Sequence, residues 1–134
     1  MKIIRCPLMF GECGIVGKSF MQGFLENLMK GEKMRMFIDE FRTPITGKSA
    51  AKGIRWALDK EFKLLHFGGK ERLSRFDIAI IIAKSQKLPL ENIEKAYQDD
   101  FKMPAARPKD VSLNSDLAKA MGYEPNKIKD DLNS

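Results

Sequence analysis

Arg107 stands between Ala106 and Pro108 in the stretch "MPAARPKDVSLNSDLAKAMGYEP", residues 103–125. A guanidinium is a planar, permanently charged fork that suits a diphosphate or the edge of a nucleobase. The proline that follows restricts the arginine's own backbone to an extended form. The residues themselves leave two readings open: Arg107 holds an anionic ligand, or it pairs with Asp110 or a carbonyl of its own chain. A second place for chemistry is the glycine-spaced loop "GECGIVGKS", residues 11–19. It is neither G-x-G-x-x-G nor a P-loop. A P-loop needs a glycine five residues before each Gly-Lys pair, and positions 12 and 42 hold Glu and Arg. The loop therefore reads as a turn into a capped helix, whose N-terminus can still hold an anion.

Other reactive side chains are few. His66 is the single histidine, set between Leu65 and Phe67 in an apolar strand, and it reads as a satisfied core residue. No Ser-His-Asp set and no carboxylate pair follows from spacing. Cys6, in an apolar strand, reads as buried and inert. Cys13 lies in the glycine loop, where nothing adjacent guarantees a lowered pKa. The two cysteines make neither a disulfide framework nor a metal-ligand spacing, so a reducing, cytoplasmic setting is the simplest expectation. Tyr123 and Lys127 have the Tyr-x-x-x-Lys spacing, but they follow a helix stop with Pro125 between them, and the match reads as coincidental.

The elements that must position these groups alternate in type. Residues 2–10, "KIIRCPLMF", read as a strand stopped at Gly11. Ser19 and Gln22 have capping-box spacing ahead of a helix with Phe20, Phe24, Leu25 and Leu28 on one face, and Gly31 is its stop. Residues 34–38 read as a strand, and "DEFRTP" breaks it at Pro44. Ser49 caps a second helix with Ala50, Ile54, Ala57 and Leu58 along one side. Residues 62–67 read as a strand ended by Gly68 and Gly69. Ser74 with Asp77 caps a third helix, "DIAIIIAK", apolar almost all round and so buried. Leu90, Ile93 and Tyr97 suggest a fourth helix, and Ser115 and Gly122 bracket the last. The alternation gives an α/β class with crossovers that favour parallel pairing.

The 134 residues make one domain, spanning 1–134. The composition, 43% apolar and 31% charged, is globular. The longest apolar run, residues 78–83, falls far short of the ~20 residues of a membrane span, and residues 1–10 read as a strand rather than a signal peptide. The net charge of +6 is spread through mixed patches (Lys30, Glu32, Lys33, Arg35; Lys70, Glu71, Arg72, Arg75). There is no basic stripe with interleaved aromatics, so the charge reads as solvated surface and not as a nucleic-acid interface.

Four segments in order, "IIRCPLMFGECGIVGKSFMQGFLENLMKGE", "IDEFRTPI", "LLHFGGKERLSRFDIAIIIAK" and "PAARPKDVSLNSDLAKAMGYEP", resemble the C-terminal half of the dTDP-4-dehydrorhamnose reductase family. These are extended short-chain dehydrogenase/reductases that act on nucleotide sugars with NAD(P). The regulatory β subunit of methionine adenosyltransferase is similar to the same family without sharing the sugar chemistry. The resemblance spans essentially the whole chain. It implies a small alternating strand–helix α/β domain, the substrate-binding part of such an enzyme without its Rossmann half. The family carries its G-x-x-G-x-x-G and catalytic Tyr-x-x-x-Lys in the Rossmann half; Gly11, Gly14 and Gly17 here, like Tyr123 and Lys127, share only the spacing, within segments that resemble the other half. The family commonly has Asp at the cap of the second helix, where Ser49 stands here.

The resemblance also supplies roles. In the family, the Ala-Arg-Pro corner closes over the nucleotide sugar, which favours the ligand reading of Arg107. Phe20 would pack against a base, and Arg42 would reach a phosphate or tether its loop. Pro7 would lie beside the nicotinamide of a complete enzyme. No catalytic residue, no metal and no cofactor held by this chain alone is expected. The implied partners are a nucleotide sugar, a separate Rossmann-type subunit and a second copy of the chain. The competing function is a non-enzymatic interaction or regulatory module that kept the fold.

Overall fold

The computed structural model describes residues 1–11 and 19–133. Most of the glycine loop, Cys13 included, lies outside them. The strand expected over residues 2–10 is two strands, β1 (Ile3–Arg5) and β2 (Met9–Phe10), separated at Cys6 and Pro7. A proline has no N–H for a ladder, so the break falls where the sequence places Pro7. Helix α1 (Phe20–Met29) starts with the expected capping box. The Ser19 hydroxyl accepts from the Gln22 N–H at 3.3 Å, and the Gln22 side chain accepts from the Ser19 N–H at 2.8 Å. Gly31 stands past its end with φ +76°, the left-handed conformation a glycine adopts without strain.

The chain continues through β3 (Met34–Phe37), β4 (Phe41–Arg42), β5 (Ile45–Thr46), α2 (Gly47–Ala57), β6 (Leu64–His66), β7 (Leu73–Ser74) and α3 (Arg75–Ser85). Then come β8 (Ile93–Ala96), a 3-10 turn (Gln98–Asp100), α4 (Asp116–Ala120) and α5 (Ile128–Leu132). Three two-stranded ladders are parallel: β1 with β6, β2 with β5, and β3 with β8. The fourth, β4 with β7, is antiparallel. The alternating α/β reading holds.

Two further expected elements differ. The segment carrying Leu90, Ile93 and Tyr97 is strand β8, because Ile93–Ala96 pairs in register with Met34–Phe37. Tyr97 lies beyond it and is exposed. The second helix is capped by Thr46, whose hydroxyl accepts from the Ser49 N–H at 3.1 Å. Ser49 sits one turn in, and its hydroxyl donates to Asp131 of α5. Thr46 donates to the same carboxylate at 2.7 Å, and Asn126 donates to its other oxygen at 2.9 Å. Burial pushes Asp131 upward, but the hydrogen bonds from Ser49, Asn126 and Thr46 outweigh it and hold the carboxyl below its ordinary value. That junction fastens the terminal helix to the start of α2.

Two apolar clusters form the core. In the larger one α3, buried through Ile78, Ala79, Ile82 and Ala83, packs against α1 through Phe24 and Leu28, with Ile93 and Ile128 completing it. The smaller gathers Ala57, Leu65, Phe67, Ala118 and Tyr123. Tyr123 stacks on Phe67 with ring centres 4.6 Å apart, and its hydroxyl donates to the Gly68 carbonyl at 3.0 Å. Gly68 and Gly69 end β6 where chains cross closely. A Cβ on Gly69 would lie 2.0 Å from the Pro44 carbonyl oxygen, and one on Gly68 would lie 2.8 Å from the Ser115 hydroxyl. His66 is half-buried rather than in the core, with Nδ1 3.2 Å from the Asn114 carbonyl and Nε2 3.4 Å from an Arg5 nitrogen. Cys6 is exposed, not buried, because it falls in the break between β1 and β2.

Candidate functional site

The segment between β3 and β4 carries Asp39 and Glu40, and Glu40 is fully buried. A buried carboxylate is costly unless it is paired and hydrogen-bonded. Here Arg42 Nη2 donates to Glu40 Oε1 at 3.2 Å. Arg107 Nη2 reaches the same oxygen at 3.4 Å, and Arg75 Nε lies 3.8 Å from it. The other oxygen, Oε2, accepts from Gln98 Nε2 at 3.1 Å. Three guanidiniums thus converge on one carboxylate oxygen.

Each arrives from a different element. Arg42, in β4, is itself buried and also donates through Nη1 to the Phe41 carbonyl at 2.7 Å. Arg75 opens α3, with its backbone N–H bonded to the Glu40 carbonyl at 3.0 Å. Its guanidinium lies over the Phe20 ring, 5.1 Å from the centre, and Phe20 stacks against Phe24. Arg107 comes from the long connection after the 3-10 turn, with 44% of its side chain exposed.

The cluster carries more positive than negative charge. Burial lowers the Arg75 pKa, Arg42 and Arg107 lower it further, and Glu40 alone opposes them. Arg75 Nη1 is buried and has no hydrogen-bond partner among the described residues. Buried donors are rarely left so unless a ligand, ion or water completes them. Beside the cluster is an open slot of about 380 Å³ lined by Phe37, Phe101, Met103, Pro104, Ala105 and Arg107. Phe37 and Phe101 meet edge to face at 5.5 Å, and Arg107 is the slot's one charged wall.

Of the residues expected at a site, Arg107, Arg42 and Phe20 are drawn together, the first two through Glu40 and Phe20 through Arg75. Pro7 is not in this group. It is half-buried in the link between β1 and β2, and no described hydrogen bond, ion pair or ring contact ties it to the arginines. Arg107 does not pair with Asp110. That carboxylate is taken by Arg72, whose Nε and Nη2 donate to Oδ2 at 3.1 and 2.8 Å. Hydrogen bonds from Ser112, then Arg72, hold Asp110 well below the ordinary carboxylate range. Arg72 also lies over the Phe41 ring at 3.8 Å. The patch of Arg72 and Arg75 is therefore not plain solvated surface.

Sequence reasoning missed Glu40, Arg75 and Gln98. The one local signal was Glu40 lying two residues before Arg42. The connection bearing Arg107 is strapped down along its length. Phe41 N–H donates to the Lys109 carbonyl at 2.7 Å, Val111 N–H to the Phe41 carbonyl at 3.3 Å, and Leu113 N–H to Thr43 Oγ1 at 3.1 Å. Among the described residues no group of His, Cys, Asp and Glu could hold a metal ion, and no helix is long and apolar enough to cross a membrane.

Comparison with known proteins identifies the fold and the family. Solved structures with the same fold include the dTDP-4-dehydrorhamnose reductase of Clostridium acetobutylicum, at TM-score 0.84 and 20% identity, with 97% of this chain aligned to 45% of that one. The reductase of Yersinia enterocolitica aligns at TM-score 0.79 and 23% identity, over 97% of this chain and 46% of that one. The UDP-glucuronic acid 4-epimerase of Bacillus cereus, solved with UDP-glucuronic acid and NAD, aligns at TM-score 0.73 and 17% identity, over 98% and 42%. The chain thus spans less than half the length of these enzymes. No curated protein sequence matches it. The model of the RmlD substrate binding domain matches residues 1–134, and the chain belongs to that family.

Proposed function

We propose that this domain binds the nucleoside-diphosphate part of a nucleotide sugar. The carrying observation is the cluster itself: three guanidiniums share one buried carboxylate, leaving two positive charges in excess and one buried arginine nitrogen without a partner among the described residues. A nucleotide sugar carries two negative charges on its diphosphate, which matches that excess. The apolar slot beside Arg107 suits the flat face of a base, and Phe20 packs under the Arg75 guanidinium. Arginine forks grip phosphate oxygens in pairs, with a geometry lysine cannot reproduce.

The hydride chemistry of the family belongs, in this reading, to a Rossmann-type unit that carries NAD(P). Pro7 offers a ring and a carbonyl but no donor to grip a dinucleotide. The Tyr123 hydroxyl donates to the Gly68 carbonyl and its ring is stacked in the core, which supports reading it as structural. Calorimetry of the purified chain against dTDP, UDP and NADP tests the proposal. Weak binding of dTDP or UDP is expected, with none of NADP and no NAD(P)H oxidation in the presence of a dTDP-4-keto sugar. Absence of any nucleotide binding refutes it and favours the non-enzymatic interaction module, similar to the methionine adenosyltransferase β subunit.

A further inference from the structure

We propose that Glu40 is a positioning residue: it gathers Arg42, Arg75 and Arg107 at one point, so that a diphosphate meets the guanidiniums of Arg75 and Arg107 already in place. This rests on reading the cluster as a diphosphate site. Arginine side chains are long and rich in rotamers, and ordering each costs free energy that binding must otherwise supply. Three like charges so close together also repel, and in a partly buried setting that repulsion is weakly screened. Left to themselves the guanidiniums would part, and Arg107, 44% exposed, has open solvent to part into.

Glu40 opposes both effects. All three arginines approach the same oxygen, Oε1, at 3.2 to 3.8 Å. The carboxylate cannot turn to follow any one of them, because Gln98 holds Oε2 at 3.1 Å. Gln98 is itself placed by its backbone N–H, which donates to both oxygens of Asp39 at 3.0 and 3.2 Å. The Glu40 backbone is pinned as well, through the Arg75 N–H at 3.0 Å. The shared oxygen takes one nitrogen each of Arg42 and Arg107 in hydrogen bonds and lies 3.8 Å from Arg75 Nε. Arg42 spends a second on the Phe41 carbonyl, whereas Arg75 Nη1 has no described partner. The free edges of Arg75 and Arg107 are what a second anion would take.

Two roles for Glu40 predict opposite signs. If the carboxylate merely neutralises, removing it adds net positive charge and tightens anion binding. If it positions, removing it weakens anion binding despite the added charge. The probes are inorganic pyrophosphate and dTDP, titrated calorimetrically into the folded chain well below its melting temperature. Glu40→Gln should bind both about tenfold more weakly, a loss of the size seen when the partner that orients a ligating group is removed. Gln98→Leu leaves every charge in place and frees only the carboxylate to turn. It should bind about threefold more weakly, and it decides the matter if Glu40→Gln does not fold. Unchanged or tighter binding by either folded variant, with wild-type binding intact, overturns the positioning role alone. A wild-type chain that binds neither probe overturns this inference and the diphosphate reading together. A purely structural Glu40 would shift the melting temperature and leave the affinity of the folded chain where it was.

Discussion

Replacing Arg107 with alanine separates a ligand contact from a structural clasp. The side chain is 44% exposed and meets Glu40 at 3.4 Å, the long end of a hydrogen bond. Glu40 keeps Arg42 at 3.2 Å and Gln98 at 3.1 Å after the change, so no carboxylate is left buried and bare. The pair joins a half-exposed guanidinium to a buried carboxylate that keeps two other partners, so it is worth only about 1 kcal/mol to the fold. For a chain of this size that corresponds to a fall in melting temperature of under about 4 °C. The connection around Arg107 stays strapped through Lys109, Val111 and Leu113. For ligand binding the balance differs. A charge-assisted arginine contact is worth roughly 1.5–3 kcal/mol when desolvated and under about 1 kcal/mol when exposed. Half-exposed Arg107 falls between, so dTDP affinity should drop by about tenfold or less, since tenfold is about 1.4 kcal/mol. Arg107→Lys should recover little, because an ammonium cannot reproduce the fork. Calorimetry and thermal melting on the same samples read both quantities. A melting temperature lowered by much more than about 4 °C with dTDP affinity unchanged would refute the reasoning, and the Ala-Arg-Pro corner would be a clasp onto Glu40.

Gly69→Ala should cost at least about 3 kcal/mol, because its Cβ would lie 2.0 Å from the Pro44 carbonyl oxygen and only backbone movement can relieve that; a melting temperature within about 2 °C of wild type would contradict it. Tyr123 is pushed up to about 12, first by burial and then by Cys6. A folded-state pKa raised above the unfolded value of about 10 gives stability that is whole below about pH 10 and is lost as pH rises towards 12. Tyr123→Phe should lose about 1 kcal/mol near neutral pH and abolish that part of the alkaline loss, measured by denaturant titration across pH 8–12. Among the described residues β1 has a partner on one side only, and Ile3 and Met9 are exposed. We expect concentration-dependent self-association through that open side, and a monodisperse monomer by light scattering at high concentration would count against it.

What the sequence disclosed about the fold was local. The caps of α1 and α3 are hydrogen bonds between residues three apart, and Ser19 with Gln22 and Ser74 with Asp77 formed as their spacing requires. Ser49 failed as a cap for a non-local reason. Its hydroxyl is drawn to Asp131, 82 residues away, and Thr46 takes the capping place. The spacing of Leu90, Ile93 and Tyr97 fits a helix face equally well, but the open side of β3 offers four residues a parallel ladder, and tertiary pairing overrides local preference.

The site was legible in its charges and not in its centre. Arg42, Arg107 and Phe20 could be picked out from the Arg-Thr-Pro segment, the Ala-Arg-Pro corner and the helix that follows the glycine loop. Nothing in the sequence marks Glu40 as buried, because acidic residues are ordinarily exposed and its neighbour Asp39 looks the same. Glu40 can be buried only because Arg42 lies two residues away, Gln98 58 and Arg107 67, and no pattern of short-range spacing records those meetings. The arginines are visible one at a time as surface charges. They become a cluster, and a candidate site, only when the fold gives them one carboxylate to share.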